Sequence, residues 1–354
     1  MFPTQPCSDC GGAELAFTRR DFVRTGLAGA AVAGVLAGTT LRAEDAAQAS
    51  RPESETLVEK LYGTFSETQK SKLCFPWDHT DERGLLRTRV SNNWSITDAK
   101  TMNVGGDFFT ADQRDMIEAI FWGLYNPEWK DRIKQQLKDD AGGYGKAQTI
   151  ALFGEPGKGK SEFVMTGRHL TVRCDGNTAD HVAFGGPIFY GHASKAIGLQ
   201  EGKDHTGNVF WPQALKANSL YTMLDGKQQA KAMVSDIPAE SAVQFQGEKG
   251  LFPGISIADL SADQKAVARE VLASLIEPYR QKDKDEVAQC LTKSGGLDRC
   301  SLAFYGADDL GEDKVWDYWR LEGPTFVWYF RGAPHVHVWV NVADSPDVAL
   351  NAVG

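Results

Sequence analysis

The chain contains 354 residues, of which 42% are hydrophobic and 24% are charged, an ordinary composition for a globular protein. This length is sufficient for one large hydrophobic core or two modest ones. The formal net charge is −9 and no segment is rich in lysine and arginine, which excludes nucleic acid as an expected partner.

The N-terminal segment has the features of an export signal. A twin-arginine sequence, TRRDFV, occupies residues 18–23, and small apolar residues follow over Gly26–Leu41. That run of 16 residues is short for a bilayer-spanning helix, which needs about 20. We therefore predict that residues 1–49 form a twin-arginine signal peptide with its cleavage region, cut after Ala43 or Ala49. The expected partner is the twin-arginine translocase, and the protein is expected to be periplasmic or exported, without stable membrane insertion.

Hydrophobic periodicity predicts helices and strands in separate parts of the chain. This segregation predicts an α+β fold, with an antiparallel sheet that includes a C-terminal hairpin and packs against several helices. Because no low-complexity linker follows residue 55, residues 50–354 are predicted to form one domain. Helices are expected mainly over 53–137, 215–234 and 260–291, and strands over Thr149–Phe153, Phe163–Cys174, Val182–Tyr190, Thr325–Phe330 and His335–Val342.

Four capping boxes mark helix starts. In this motif the N-cap side chain accepts a hydrogen bond from the N–H of the third helical residue. The side chain of that third residue, here a glutamine, accepts a hydrogen bond from the N-cap N–H. Two segments, 109–129 and 260–280, are also similar beyond the cap. An internal duplication would explain this similarity, but we favour four similar helix starts on one fold. The boxes are Ser66–Gln69, Thr110–Gln113, Asp225–Gln228 and Ser261–Gln264.

Residues 154–161, GEPGKGKS, fit the pattern of a phosphate-binding loop. That loop works only when a helix begins at its Lys-Ser pair, so that the helical amides face the phosphates. Here the residues after Ser161 are β-branched and aromatic and predict a strand. We therefore interpret this segment as a surface turn.

The C-terminal strand carries the strongest chemical signal in the sequence. Every second residue from Val336 to Val342 is valine, so the alternation of strand side chains places His335 and His337 together on the other face. Two imidazoles side by side predict a metal site. The alternative is that both are half-buried sheet residues bonded to carbonyl groups.

A third histidine extends this prediction. His169 begins a strand-like run, and if that strand neighbours the C-terminal one, His169, His335 and His337 converge. Three neutral imidazoles with an open fourth position form the ligand set of catalytic zinc sites, and imidazole also suits copper and iron. We expect one transition metal ion, zinc, copper or iron, with His192 as a candidate fourth ligand or acid–base group. The remaining histidines are interpreted as surface residues: His79, His181 and His205.

Four longer motifs are more specific than these short patterns: Gly154–Pro156, Gly167–Thr171, Phe184–Gly191 and Pro334–His337. Together they resemble the family called domain of unknown function 3500, over roughly residues 55–345. The resemblance implies an exported, single-domain protein. It also implies that the G-x-H-L and H-x-H elements of the family correspond here to the same three histidines.

Two functional hypotheses follow. The first is an exported metal-dependent enzyme, hydrolytic or oxidative, with Glu155, Glu162 and Arg168 as candidates for acid–base chemistry; each is also explained as a loop charge or a salt-bridge partner. The second is a non-catalytic protein that binds a metal ion or a small-molecule ligand in a cleft lined by aromatic residues of the segment 316–329. A purely structural domain would require the three histidines to lie far apart.

Four cysteines follow residue 50. Cys290 and Cys300 flank a short segment containing two glycines, and an oxidising periplasm would allow them to close a small disulfide loop. Two unpaired thiols are the alternative, because export by the twin-arginine route means that folding finishes in a reducing compartment.

Overall fold

The computed structural model describes residues 53–354 except 177, 195–206 and 307–313. The predicted signal peptide and its cleavage sites lie outside the described residues, as does His205. No helix in the described part is long and apolar enough to cross a membrane. The α-helices are α1 (Ser54–Thr64), α2 (Glu67–Leu73), α3 (Ala99–Met102), α4 (Ala111–Gly123), α5 (Lys130–Ala141), α6 (Trp211–Met223), α7 (Gly226–Ala232), α8 (Ala262–Ile276) and α9 (Gln281–Lys293).

The helices form one layer of the structure, and one large, mostly antiparallel sheet forms the other. The strands are β1 (Cys74–Phe75), β2 (Thr80–Asp81), β3 (Gly84–Leu85), β4 (Arg89–Ser91), β5 (Thr149–Gly154), β6 (Ser161–Gly167), β7 (Leu170–Cys174), β8 (Ile188–His192), β9 (Met233–Val234), β10 (Ile255–Ser256), β11 (Ser301–Tyr305), β12 (Tyr318–Gly323), β13 (Phe326–Arg331), β14 (Val336–Val342) and β15 (Asn351–Val353). Eleven of them form one sheet in the order β1-β5-β6-β7-β8-β14-β13-β12-β11-β10, with β9 beside β11. The α+β class predicted from the sequence is therefore confirmed.

Two predicted segments are divided in the structure. The predicted strand Phe163–Cys174 is two antiparallel strands, β6 and β7, because Arg168 and His169 form the turn between them. The predicted helical region 53–137 is interrupted by the short strands β1 to β4. The first of these differences places His169 at a hairpin tip rather than at the start of a longer strand.

All four predicted capping boxes form, and they also join neighbouring helices. Gln69 Nε2 donates to Gln113 Oε1 at 2.8 Å, and Gln113 Nε2 donates to the carbonyl oxygen of Thr64 at 3.1 Å. In the same way Gln264 Nε2 donates to Gln228 Oε1 at 2.8 Å. Each of these glutamines therefore forms hydrogen bonds both within its own capping box and with a neighbouring capping box or helix end.

The same order of elements occurs twice along the chain. The first half runs α1, α2, β1, then α4, α5 and β5 to β8, and the second runs α6, α7, β9, then α8, α9 and β11 to β14. In each half the short strand pairs in parallel with the first strand of a four-stranded unit, β1 with β5 and β9 with β11. The halves meet at the β8–β14 pair and at Tyr125 and Tyr279, whose ring centroids lie 6.0 Å apart. This repeat favours internal duplication over four unrelated helix starts.

The sheet separates two hydrophobic clusters of unequal size. The larger cluster lies between the sheet and the helices and includes the valines of β14. The smaller cluster lies on the other face, includes Phe189 and Trp339, and contacts the irregular segment 235–254. The alternation predicted for the C-terminal strand is therefore confirmed, and His337 lies on the side of the smaller cluster.

The phosphate-loop pattern is a strand connection. Gly154 at the end of β5 pairs with Ser161 at the start of β6, so an antiparallel hairpin encloses the pattern and no helix follows it. This geometry confirms the interpretation as a turn. A phosphate would find no helix N-terminus here.

Most of the aromatic residues predicted to line a cleft, and both cysteines of the predicted disulfide loop, belong to the core. Trp319, Trp328 and Tyr329 are fully buried in the hydrophobic clusters, which does not support the predicted aromatic cleft at those three residues. Cys290 and Cys300 are free and buried, so the structure has two thiols rather than the disulfide loop.

The Gln69–Gln113 contact yields a stability prediction. Gln113→Ala removes the bond to the Thr110 N–H and leaves the Thr64 carbonyl without its partner. Losing a cap bond and a buried bond is expected to lower the free energy of unfolding by about 2–3 kcal/mol, measured by urea denaturation. The matched control is Gln135→Ala, whose exposed side chain bonds only Asp139, and its effect should stay within about 0.5 kcal/mol. Equal effects of the two substitutions would contradict the assignment.

Candidate metal centre

Two of the three histidines are positioned by β14. His335 immediately precedes the strand and His337 is its second residue. Because Val336 between them faces the helical layer, both imidazoles lie on the opposite face of the sheet. Their side chains are nevertheless buried, His335 at 2% and His337 at 6% exposure.

The third histidine reaches the site across an intervening strand. His169 lies in the β6–β7 turn, where its N–H donates to the carbonyl oxygen of Asn92 at 2.9 Å. Its φ of 53° is in the left-handed region, which is uncommon for a residue other than glycine. The condition that its strand lies next to β14 is not met, because β8 lies between β7 and β14, yet the three histidines converge.

A glycine in β8 leaves room for the His169 side chain to reach across that strand. Gly191 pairs with His337, and a Cβ atom at Gly191 would lie 3.3 Å from the His169 ring and 2.3 Å from the Val336 carbonyl oxygen. A larger residue would therefore occupy the space through which His169 approaches. Glycine at this position is required by close approach rather than by a turn.

The three imidazoles converge through their Nε2 atoms. These atoms lie 2.9 Å apart in the pair His335–His337, 3.1 Å apart in His169–His337 and 3.2 Å apart in His169–His335. In the described part of the chain, this is the group of histidine, cysteine and acidic side chains whose ligand atoms come close enough to hold a metal ion.

Carboxylates lie behind two of the imidazoles. His337 Nδ1 is 3.1 Å from Glu240 Oε2, and His169 Nδ1 is 3.0 Å from Asp140 Oδ1, although the second contact lacks the direction of a regular hydrogen bond. A carboxylate only accepts hydrogen bonds, so each contact favours a proton on Nδ1 and a free lone pair on Nε2. Carboxylate–histidine pairs of this kind commonly orient metal-binding histidines.

The Nε2 arrangement is unfavourable without a cation. A proton on His335 Nε2 could be donated to one neighbour at a time. The lone pairs of His169 and His337 would still face each other at 3.1 Å. A metal–nitrogen distance of about 2.0–2.1 Å with tetrahedral angles gives an N···N separation of about 3.3 Å, close to the observed separations. The three histidines therefore fit a metal ion after a slight outward shift.

Burial keeps two of the imidazoles, those of His169 and His335, in the neutral, ligating form. Burial, reinforced by the charges of His337 and Arg168, lowers the pKa of His169 well below its usual value. Burial and the two neighbouring histidines lower the pKa of His335 to about 2. Both rings are therefore neutral at pH 7, as metal ligation requires.

The two carboxylates have different environments. Burial raises the pKa of Glu240, but its interaction with His337 and with the guanidinium of Arg331 outweighs burial and holds the pKa at about 2. Burial raises the pKa of Asp140 to about 6, despite bonds from Ala193 N and Gln136. Glu240 is therefore fully ionised at neutral pH, and Asp140 is mostly so.

His192 has its own partners and is not part of the three-histidine group. It is fully buried, its Nδ1 accepts from the Val209 N–H at 3.1 Å, and its Nε2 lies 3.1 Å from Asp139 Oδ2. Both ring nitrogens are thus engaged away from the other histidines. His79 packs on Phe75, and the exposed His181 pairs with Asp344.

The three acid–base candidates lie in different environments. Glu155 pairs with Lys158 in the exposed β5–β6 turn. Glu162 is fully buried and binds Arg173 and Arg87, so its charge is used within the fold. Arg168 is the one candidate adjacent to the three histidines.

The sequence did not indicate the supporting residues. Asp140 is at the end of α5, before a glycine-rich loop, and nothing in the local pattern distinguishes it from the neighbouring Asp139. Glu240 lies in the irregular segment 235–254, which has no periodicity to interpret. Gly191 was visible only as part of a longer motif. Their roles follow from contacts between residues distant in sequence.

The backbone of His169 yields a second prediction. In the metal-free protein, His169→Asn is expected to be about 1 kcal/mol less destabilising than His335→Asn, because asparagine tolerates the left-handed region better. The two substitutions make the same chemical change at buried positions, so each serves as the control for the other. Urea denaturation in the presence of a chelator measures the difference. Equal or reversed losses would show that the turn at His169 is not strained.

Comparisons with known proteins agree with the motifs noted in the sequence. No curated protein and no solved structure matches the chain. One family model, described as protein of unknown function (DUF3500), matches residues 48–341, a range that contains β5 to β8, β11 to β13 and most of β14. All three converging histidines lie within this range. The chain therefore belongs to the DUF3500 family.

Proposed function

We propose that this protein is an exported metalloenzyme that holds one transition metal ion with His169, His335 and His337. The observation that carries the proposal is the convergence of three buried Nε2 atoms to within 3.2 Å of one another. The twin-arginine sequence at residues 18–23 supports export to the periplasm.

Zinc and hydrolysis are the metal and reaction class that the ligand set favours. Three neutral imidazoles with no cysteine form the set found in catalytic zinc sites, whereas structural zinc sites usually have four protein ligands that include cysteine. A zinc ion bound in this way supplies a Lewis acid that activates water near neutral pH. Copper or iron in the same site would instead indicate oxidative chemistry.

The protein's own residues orient the ligands. Glu240 accepts from His337 and from Trp339 Nε1, while Arg331 binds its other oxygen, so the carboxylate is held on three sides. Asp140 is held by the Ala193 N–H. These contacts fix the direction in which the Nε2 lone pairs point before any metal binds.

The alternative is a non-catalytic metal-binding protein. In such a protein we would expect four protein ligands that close the site. In the described residues, no fourth histidine, cysteine or carboxylate ligand atom joins the three Nε2 atoms. His192 has other partners, and Asp140 and Glu240 contact Nδ1 atoms on the far side of the rings. This arrangement favours an open position and therefore catalysis.

The metal content tests the proposal. The purified protein is expected to carry about one equivalent of a transition metal, and His337→Ala should lose it, because each ligand contributes to affinity. His181→Ala, which changes an exposed histidine paired with Asp344, should retain the metal. X-ray absorption should show three imidazole nitrogens plus at least one oxygen ligand from solvent. Four protein ligands would favour the non-catalytic alternative, and no metal after reconstitution would exclude both.

The carboxylate behind His337 can be tested separately. Glu240→Gln keeps the size of the side chain but removes the charge opposite Nδ1, and metal affinity should fall by about 10- to 100-fold. Competition with a chromogenic chelator measures this change. Glu248→Gln, in an exposed pair with Arg299, is the control and should leave the affinity unchanged. An unchanged affinity in Glu240→Gln would exclude the orienting role.

A further inference from the structure

Arg168 differs from the other shielded arginines of the described chain. It is half-buried, its Nε atom is sealed from water without a hydrogen-bond partner, and its side chain forms no ion pair with any described residue. Burying a charged donor without a partner is unfavourable. The half-buried Arg89 and Arg114 donate to backbone carbonyl oxygens. Other shielded arginines have carboxylate partners: Arg87 and Arg173 with Glu162, Arg280 with Glu55 and Asp283, Arg320 with Glu322, and Arg331 with Glu240.

The guanidinium of Arg168 lies close to the metal ligands. It forms the two-residue β6–β7 turn together with His169, so the two side chains start from neighbouring backbone positions. Its charge is near enough to act on His169, His335 and Asp140. The turn therefore presents one imidazole and one unpaired cation to the same region.

The charges at the site leave Arg168 uncompensated. The carboxylates of Asp140 and Glu240 balance a divalent ion. Two further charges cancel each other: the positive charge of Arg331, which binds Glu240, and the negative charge of Asp139, which contacts His192. Among these side chains, the charge that remains is the guanidinium of Arg168, so it favours an anion at the loaded site.

We propose that Arg168 binds a carboxylate group of the substrate, so that the metal centre acts on small carboxylate-bearing molecules. This inference rests on the proposed metal site. A guanidinium matches a carboxylate through two parallel N–H donors, which positions the substrate as well as attracting it. Arg168 is thus a specificity-determining residue rather than the acid–base candidate considered from the sequence.

Two thiols that differ at one end test the inference on the cobalt-loaded protein. 2-Mercaptoethanol and 3-mercaptopropionate both offer a thiolate to the metal, but only the second carries a carboxylate. Cobalt–thiolate absorption reports the dissociation constant of each. The ratio of the two constants cancels the contribution of the metal–sulfur bond when variants are compared.

Arg168→Gln is expected to reduce the preference for 3-mercaptopropionate by about tenfold, the loss of one charge-assisted contact. Arg168→Lys should retain part of it, since the charge remains but the planar fork is lost. 2-Mercaptoethanol should still bind to both variants, which shows that the metal site is intact. The exposed Arg299→Gln is the control for net charge.

The outcomes separate this inference from the proposed function. If cobalt binds, both thiols bind and Arg168→Gln keeps the wild-type preference, the role of Arg168 is wrong and the metal site stands. A tenfold loss in Arg299→Gln as well would also overturn it, because the effect would then come from net charge. If the wild-type protein binds no cobalt, the proposed metal site and the inference fail together.

Discussion

The structure depends at its centre on three imidazole lone pairs directed at one point. Nitrogen atoms 2.9–3.2 Å apart repel one another unless protons or a cation lie between them. Burial makes protonation costly and so lowers the pKa of His169 and His335. Carboxylates behind the rings favour the tautomer that keeps Nε2 free. A metal ion would resolve this unfavourable arrangement, and the surrounding fold holds the three rings in place.

The repeated architecture explains where this support comes from. Two units with the same order of helices and strands join edge to edge at β8 and β14, so the strands at the join lie in the middle of the sheet. The β6–β7 turn of the first unit supplies His169, and the second unit supplies His337 from β14 and His335 from the position just before it. A site that draws ligands from both units, next to their junction, requires both to be folded and correctly joined. Gly191 at the junction leaves the space that the crossing needs.

Electrostatics distinguish this site from a structural ion-pair network. Glu162 with Arg87 and Arg173 forms a buried group in which positive and negative charges are matched, and such a group contributes to the fold. At the metal centre the matching is incomplete, because the carboxylates contact imidazoles and Arg168 has no partner. Unmatched charge beside an open ligand set is typical of a site that binds something else.

Local chemistry in the sequence determined the helix starts, the alternation of β14 and the three histidines themselves. Capping boxes and strand periodicity depend on residues a few positions apart, and they were therefore predictable. The tertiary structure alone decided that β8 lies between β7 and β14, that Gly191 admits His169, and that Asp140 and Glu240 lie behind the rings. Those contacts join residues far apart in the chain, and no local pattern encodes them. The sequence by itself therefore determined which groups can bind a metal, and the fold determined that they meet.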